Sequence, residues 1–113
     1  MPTVLQHFKG RSPAVRTIYD RLVGAASSFG PFTEEPKKTS IHLVRRSAFS
    51  GIATRKDALI LTVKSPADIR SARVFRRLRA SATRRYIEVR LEDPAQVDAE
   101  LKSWLKTSIE LSG

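Results

Sequence analysis

Residues 37–46, KKTSIHLVRR, place two lysines, two hydroxyls, an imidazole and two arginines among aliphatic side chains. Two chemistries suit that mixture. As a catalytic strand, Lys38 and Arg46 would disfavour the charged form of His42 and leave a neutral imidazole able to act as a base. Lys38, itself beside cations, would be the nucleophile. As an anion cradle, Lys38 and Arg46 supply charge and guanidinium forks, while Ser40 and His42 supply neutral hydrogen bonds. Other chemistries fail at the level of composition. The chain has no cysteine, which removes disulfides, thiolate metal sites and thiol nucleophiles. Its only histidines are His7 and His42, so no imidazole metal cluster and no bound cofactor are expected. Phosphate-binding loops, dinucleotide glycine fingerprints, H-E-x-x-H and G-x-S-x-G are missing. Ser103 and Lys106 match S-x-x-K, but on a helix whose pattern packing already explains.

The charge balance points to an anionic partner. The net charge is +10 over 113 residues, and it is uneven. Residues 37–90 carry +12, residues 1–36 carry +1 and residues 91–113 carry −3. Nucleic acid, a phosphorylated ligand or an acidic protein would each be drawn to the middle of the chain. With 41% hydrophobic and 28% charged residues, one self-sufficient folded domain spanning 1–113 is expected. No apolar run approaches the roughly 18 residues that span a bilayer. The first residues, MPTVLQHFKGR, lack the pattern of a secretory leader, so a cytoplasmic location without membrane partners is expected.

The elements that would position these side chains follow from caps and periodicity. After a short N-terminal segment (1–11), Ser12-Pro13 predicts a helix start with a hydroxyl cap and a first-turn proline. Val15, Ile18, Tyr19, Leu22, Val23 and Ala26 then share one face of a helix over 12–30. Asp93-Pro94-Ala95-Gln96 resembles a capping box and predicts a second helix over 93–111, with Val97, Leu101, Trp104, Leu105 and Ile109 on its apolar face. Between them, 37–91 reads as strands, with ALILTV at 58–63 apolar on both sides as a central strand should be. The order helix, strands, helix predicts an α+β fold: an antiparallel sheet of about five strands with both helices on one face.

Period-two alternation then divides the cations between faces. If Ile41 and Leu43 face the helices, Lys38, Ser40, His42 and Arg46 share the other face, as do Arg84, Tyr86 and Arg90. If Val74 and Leu78 face the core, then Arg73, Phe75, Arg77 and Arg79 join them. The expected result is an open, basic sheet face dotted with aromatic rings, the components of phosphate or single-strand recognition. A second copy of the chain could cover the same face.

The stretches HFKGRSPAVRTIYDRL, KKTSIHLVRRSAF and VDAELKSWL together resemble a bacterial domain family of unknown function. Its members often carry the label "predicted transport protein" and sometimes follow a small helical domain. The likeness runs from about His7 to Ile109. It implies a stand-alone cytoplasmic α+β domain, with Phe8, Lys9, Gly10, Arg11, Lys38, Ser40, His42 and Arg46 at the signature positions. It also implies that a partner protein could be encoded separately. The expectation is a non-enzymatic domain whose open face binds nucleic acid or a phosphorylated small molecule. The alternatives are an enzyme acting on a phosphorylated substrate through Lys38 and His42, and a homodimerisation or interaction module.

Overall fold

The computed structural model describes residues 1–112. Proline suits the first position of α1 (Pro13–Ser27) because its fixed φ is helical and its missing N–H would have no partner there. The expected hydroxyl cap does not form: the Ser12 side chain makes no cap bond, and its backbone N–H instead donates to Lys56 O at 2.8 Å. Val15, Ile18, Tyr19 and Leu22 are buried along one face of α1. The helix stops at Ser27, short of residue 30. The Ser28 hydroxyl donates to Ala25 O at 2.6 Å, and Gly30 takes a φ of 127° that side-chain-bearing residues rarely adopt.

The sheet has six antiparallel strands rather than about five: β1 (Thr33–Pro36), β2 (Ile41–Val44), β3 (Ala48–Thr54), β4 (Leu59–Ser65), β5 (Val74–Ser81) and β6 (Arg84–Leu91), in the order β1-β2-β3-β4-β6-β5. The additional strand, β1, reads TEEP, a composition with little strand preference of its own. Pairing holds it, with Thr33 opposite Val44 and Pro36 opposite Ile41 at the sheet edge, where a missing N–H is tolerated. From β4 the chain crosses through residues 66–73 to the far edge, and β6 returns between β4 and β5.

One sheet face carries the core. Ile41, Leu43, Ile52, Leu61, Val63, Ile87 and Val89 are buried there against both helices. The second helix, α2 (Ala99–Ser112), adds Leu101, Leu105 and Ile109. It begins later than residue 93. The capping box forms, with Asp93 Oδ1 accepting from Ala95 N at 2.8 Å and Gln96 Oε1 from Asp93 N at 3.0 Å, but it closes only a 3-10 turn, Pro94–Gln96. Val97 leaves helical geometry (φ −81°, ψ 68°), and Asp98 caps α2 afresh through Leu101 N at 3.0 Å.

Helix α2 also repairs the sheet. The β2–β3 register jumps from Leu43↔Ser50 to Val44↔Ala48, leaving Phe49 as the extra residue of a bulge, and the β3–β4 ladder ends at Ser50↔Val63. Beyond that point Ser108 Oγ stands between the strands. It donates to Phe49 O at 2.5 Å and accepts from Lys64 N at 2.8 Å. At the end of α2, Ser112 O accepts from Ser47 N and Ser47 Oγ at 3.3 and 3.2 Å. Ser50 Oγ, by contrast, is buried without a partner among the described residues.

Two stability predictions follow from these contacts. Ser108→Ala should cost about 2 kcal/mol, because it strands a buried donor and a buried acceptor, whereas Ser50→Ala should gain up to about 1 kcal/mol by removing an unpaired hydroxyl. Urea unfolding of both variants measures the difference. The Asp98 carboxyl is held below its ordinary value of 3.8, first by the Leu101 N–H and then by Arg73. Its contribution should therefore be fully present above about pH 4 and lost as pH falls through the lowered value. In acid titrations of stability, Asp98→Asn should flatten that part of the profile.

Candidate functional site: a notch in the open sheet face

The face away from the helices has a gap at its centre. On β3, Gly51 stands between His42 of β2 and Thr62 of β4, and all three positions point outward. With no side chain at Gly51, the surface falls into a depression of about 290 Å³ lined by His42, Ala48, Gly51, Thr62, Lys64 and Tyr86. The floor is small and apolar and the rim is polar. Ile60 also points outward, yet is only 4% exposed, flanked by Ala53 and Arg90 across the two ladders.

Lys64 is the cation of the notch. Its main chain is held by Ser108, and its Nζ donates to Ser47 Oγ at 3.2 Å. Burial lowers the pKa of its ammonium, and the nearby Arg84 charge lowers it further. It has no carboxylate partner within salt-bridge distance among the described residues. Tyr86 is directly opposite Lys64 on β6 and 36% exposed. Glu35 of β1 lies opposite His42 and accepts from Lys37 Nζ at 3.3 Å.

The structure brings together only part of the site read from the sequence. His42 and Tyr86 line the notch, and Arg84 stands at the start of β6 within electrostatic reach of Lys64. Lys38 does not share a cavity with His42. It lies in the β1–β2 turn and lines a separate depression with Met1, Pro2, Gln6 and His7. Ser40 falls just before β2, and Arg46 in the turn between β2 and β3. The regular alternation expected over 37–46 covers only Ile41–Val44, because turns at both ends reorient the flanking cations. Arg90 is on the outward face, but opposite Ile60 at the other end of β6, 3.6 Å from Glu92.

The expected face of β5 is corrected as well. Val74 pairs with Val89 on the core side, but a bulge at Phe75 shifts the register. Leu78 therefore lies opposite Tyr86 on the outward face, while Arg77 lies opposite Ile87 and Arg79 opposite Arg85 on the helix side. Arg73 is also on the helix side. Its Nη1 donates to Asp98 at 2.9 and 3.1 Å and to Glu100 at 3.3 Å, and its guanidinium lies 5.5 Å from the Trp104 ring centre.

Among the other signature positions, Phe8 packs 5.0 Å from Tyr19, and Gly10 turns the chain with a φ of 74°. Arg11 binds Thr54 through Oγ1 at 3.1 Å and the carbonyl at 3.3 Å. These three fasten the N-terminal segment to α1 and β3, and Lys9 is exposed. Tyr19 itself donates to Glu34, and burial together with that carboxylate pushes its phenol far above the ordinary value.

An antiparallel sheet with both helices on one face and a polar-rimmed notch on the other defines a two-layer α+β domain. The family model described as "Domain of unknown function (DUF5655)" matches residues 4–112, and the chain belongs to that family. No curated protein and no solved structure matches it. Among the described residues, no helix is long and apolar enough to cross a membrane.

Lys64 was not legible from its neighbourhood in sequence, because it ends an apolar run (ALILTVK) with no other cation in it. The usable signal was a period-two count from Thr62 combined with a glycine on the neighbouring strand. In an NMR titration the Lys64 side chain should lose its proton below the ordinary lysine value of 10.5. Arg84→Gln should move that midpoint part of the way back, since burial, the larger cause, remains.

Proposed function

We propose that this is a binding domain whose open sheet face takes a small phosphorylated ligand in the Gly51 notch. Lys64 supplies the counter-charge, with Arg84 at the rim. His42 and Thr62 offer neutral hydrogen bonds, and Tyr86 a ring against which a flat organic group can stack. The observation that carries this reading is the placement of the Lys64 ammonium, without a carboxylate in salt-bridge distance among the described residues, beside the depression left by Gly51. A bound phosphate oxygen would supply that counter-charge. The volume of about 290 Å³ lies at the small end of ligand pockets and suits a small molecule rather than a polymer. Binding is favoured over catalysis because Lys64 Nζ donates to Ser47 Oγ rather than to His42, and the carboxylate opposite His42, Glu35, is engaged by Lys37.

Gly51→Ala separates ligand binding from folding. The added Cβ would sit 3.6 Å from Thr62 Cβ, an ordinary contact, so the fold should be kept and stability should rise by about 0.5–1 kcal/mol. The same methyl raises the floor of the notch and should weaken binding several-fold. The probe is AMP at millimolar concentration, with adenosine as control, followed by amide shifts. AMP should perturb His42, Gly51, Thr62 and Lys64 in the native protein, adenosine much less, and Gly51→Ala should suppress the effect. Shifts confined to other parts of the chain, or none at roughly 5 mM AMP, would overturn the proposal.

A further inference from the structure

On the open face, a cation, an aromatic ring and an aliphatic side chain stand in one row across β4, β6 and β5. Lys64 lies opposite Tyr86, and Tyr86 lies opposite Leu78. Neighbouring strands are about 4.8 Å apart, so the row runs roughly 10 Å from the rim of the notch toward the edge of the sheet. Strand β5 is the last of the sheet, and no strand continues the row beyond Leu78. Of the large apolar side chains that remain exposed, Met1 and Leu5 belong to the N-terminal segment, whereas Phe75, Leu78 and Tyr86 belong to β5 and β6. Leu78 is 43% exposed, although its cross-strand partner lines the notch.

The charges beside the row differ between its two flanks. Arg84 precedes Tyr86 by one alternation of β6, so it shares the outward face, and it is half-buried. Neither Lys64 nor Arg84 has a carboxylate within salt-bridge distance among the described residues. On the other flank of Tyr86, Glu88 lies opposite both Thr62 and Arg76. An anion is therefore drawn to the side of Lys64 and Arg84 and turned away from Glu88. Leu78 offers no hydrogen bond and Tyr86 only its phenol, so a group that covers both has to be apolar or leave its own polar atoms unpaired.

We propose that the ligand of the notch is a phosphate monoester of an apolar alcohol, with its phosphate beside Lys64 and Arg84 and its chain laid over Tyr86 and Leu78. This inference rests on the phosphate reading of the Gly51 notch and adds the class of the organic group. A second copy of the chain is a poorer occupant, because each copy brings a net charge of +10 and the same uncompensated Lys64 and Arg84. A lipid still in its bilayer is a poorer one too, because its chains point away from the surface, whereas this row lies flat along the sheet.

The test titrates methyl, butyl and octyl phosphate into the full chain, each below its micelle-forming concentration, and follows amide shifts. All three should perturb Gly51, Thr62 and Lys64, and the longer esters should perturb Leu78 as well. Affinity should rise about twofold per methylene, hence roughly tenfold or more from butyl to octyl, because a chain lying on an open face buries about half its surface. Leu78→Ser should remove most of that gain, whereas Leu78→Met, apolar and of similar volume, should keep it. Octanol, which has the chain without the phosphate, should bind far more weakly than octyl phosphate. If methyl phosphate and AMP both leave the notch amides unmoved, the phosphate reading fails and this inference fails with it. If they move the notch but affinity does not grow with chain length, the phosphate reading stands and this inference alone is overturned. It is also overturned if octyl phosphate moves only amides elsewhere, or if light scattering shows a dimer that Leu78→Ser dissociates. Tighter capture by vesicles of phosphatidylglycerol and phosphatidylcholine than by the monomeric esters would overturn it as well.

Discussion

The hydroxyl of Ser108, lodged between Phe49 O and Lys64 N, joins the two halves of the sheet where their own ladder ends. A bulge is a local excess of chain, and it leaves backbone groups that something must satisfy. Here a helix side chain does so from the core side, which lets β3 diverge from β4 without exposing either strand to an unpaired buried group. The outward consequence is the notch. Lys64 is anchored through its backbone, its side chain crosses to the open face, and the space beside it stays unfilled because Gly51 has no side chain. Packing of α2 and the shape of the candidate site are thus one constraint seen from two sides of a sheet.

Charge is organised by the same geometry. The C-terminal part of the chain holds most of its acid at the start of α2 and in the turn before it, and the crossover between β4 and β5 passes that region. Arg73 can therefore collect Asp98, Glu100 and the Gln96 carbonyl together, and stack over Trp104. Arg77 finds Asp68 on the crossover itself. Among the described residues, cations without a carboxylate in salt-bridge distance stand at both ends of the sheet, Lys64, Arg79, Arg84 and Arg85 at one and Arg55 and Lys56 at the other.

The signature stretches divide into two kinds of role. Phe8, Gly10 and Arg11 act on the fold, through a ring contact, a left-handed turn and a bond to Thr54. His42 lines the notch. KKTSIHLVRR looked like one functional strand because its charged residues alternate with aliphatic ones, but only its centre is extended. The α+β class, both helices and the core positions of β2, β4 and β6 were legible, because burial imposes a period that survives in sequence. The edge strand β1 was not, since pairing rather than propensity makes it a strand. The face of β5 was inverted, since one bulge residue reverses the alternation that follows it.

What the sequence by itself determined is whatever depends on neighbours along the chain: helix caps, apolar periodicity, the absence of cysteine, and the concentration of cations between residues 37 and 90. Tertiary structure alone decided which cations meet. Lys64 reaches the rim beside His42 across two ladders, Lys38 is carried off toward the N-terminus, and Arg79 is turned to face Arg85. The reason is that register between strands is set by bulges and by contacts from the helices. A shift of one residue moves a side chain to the opposite face while leaving the local sequence pattern unchanged.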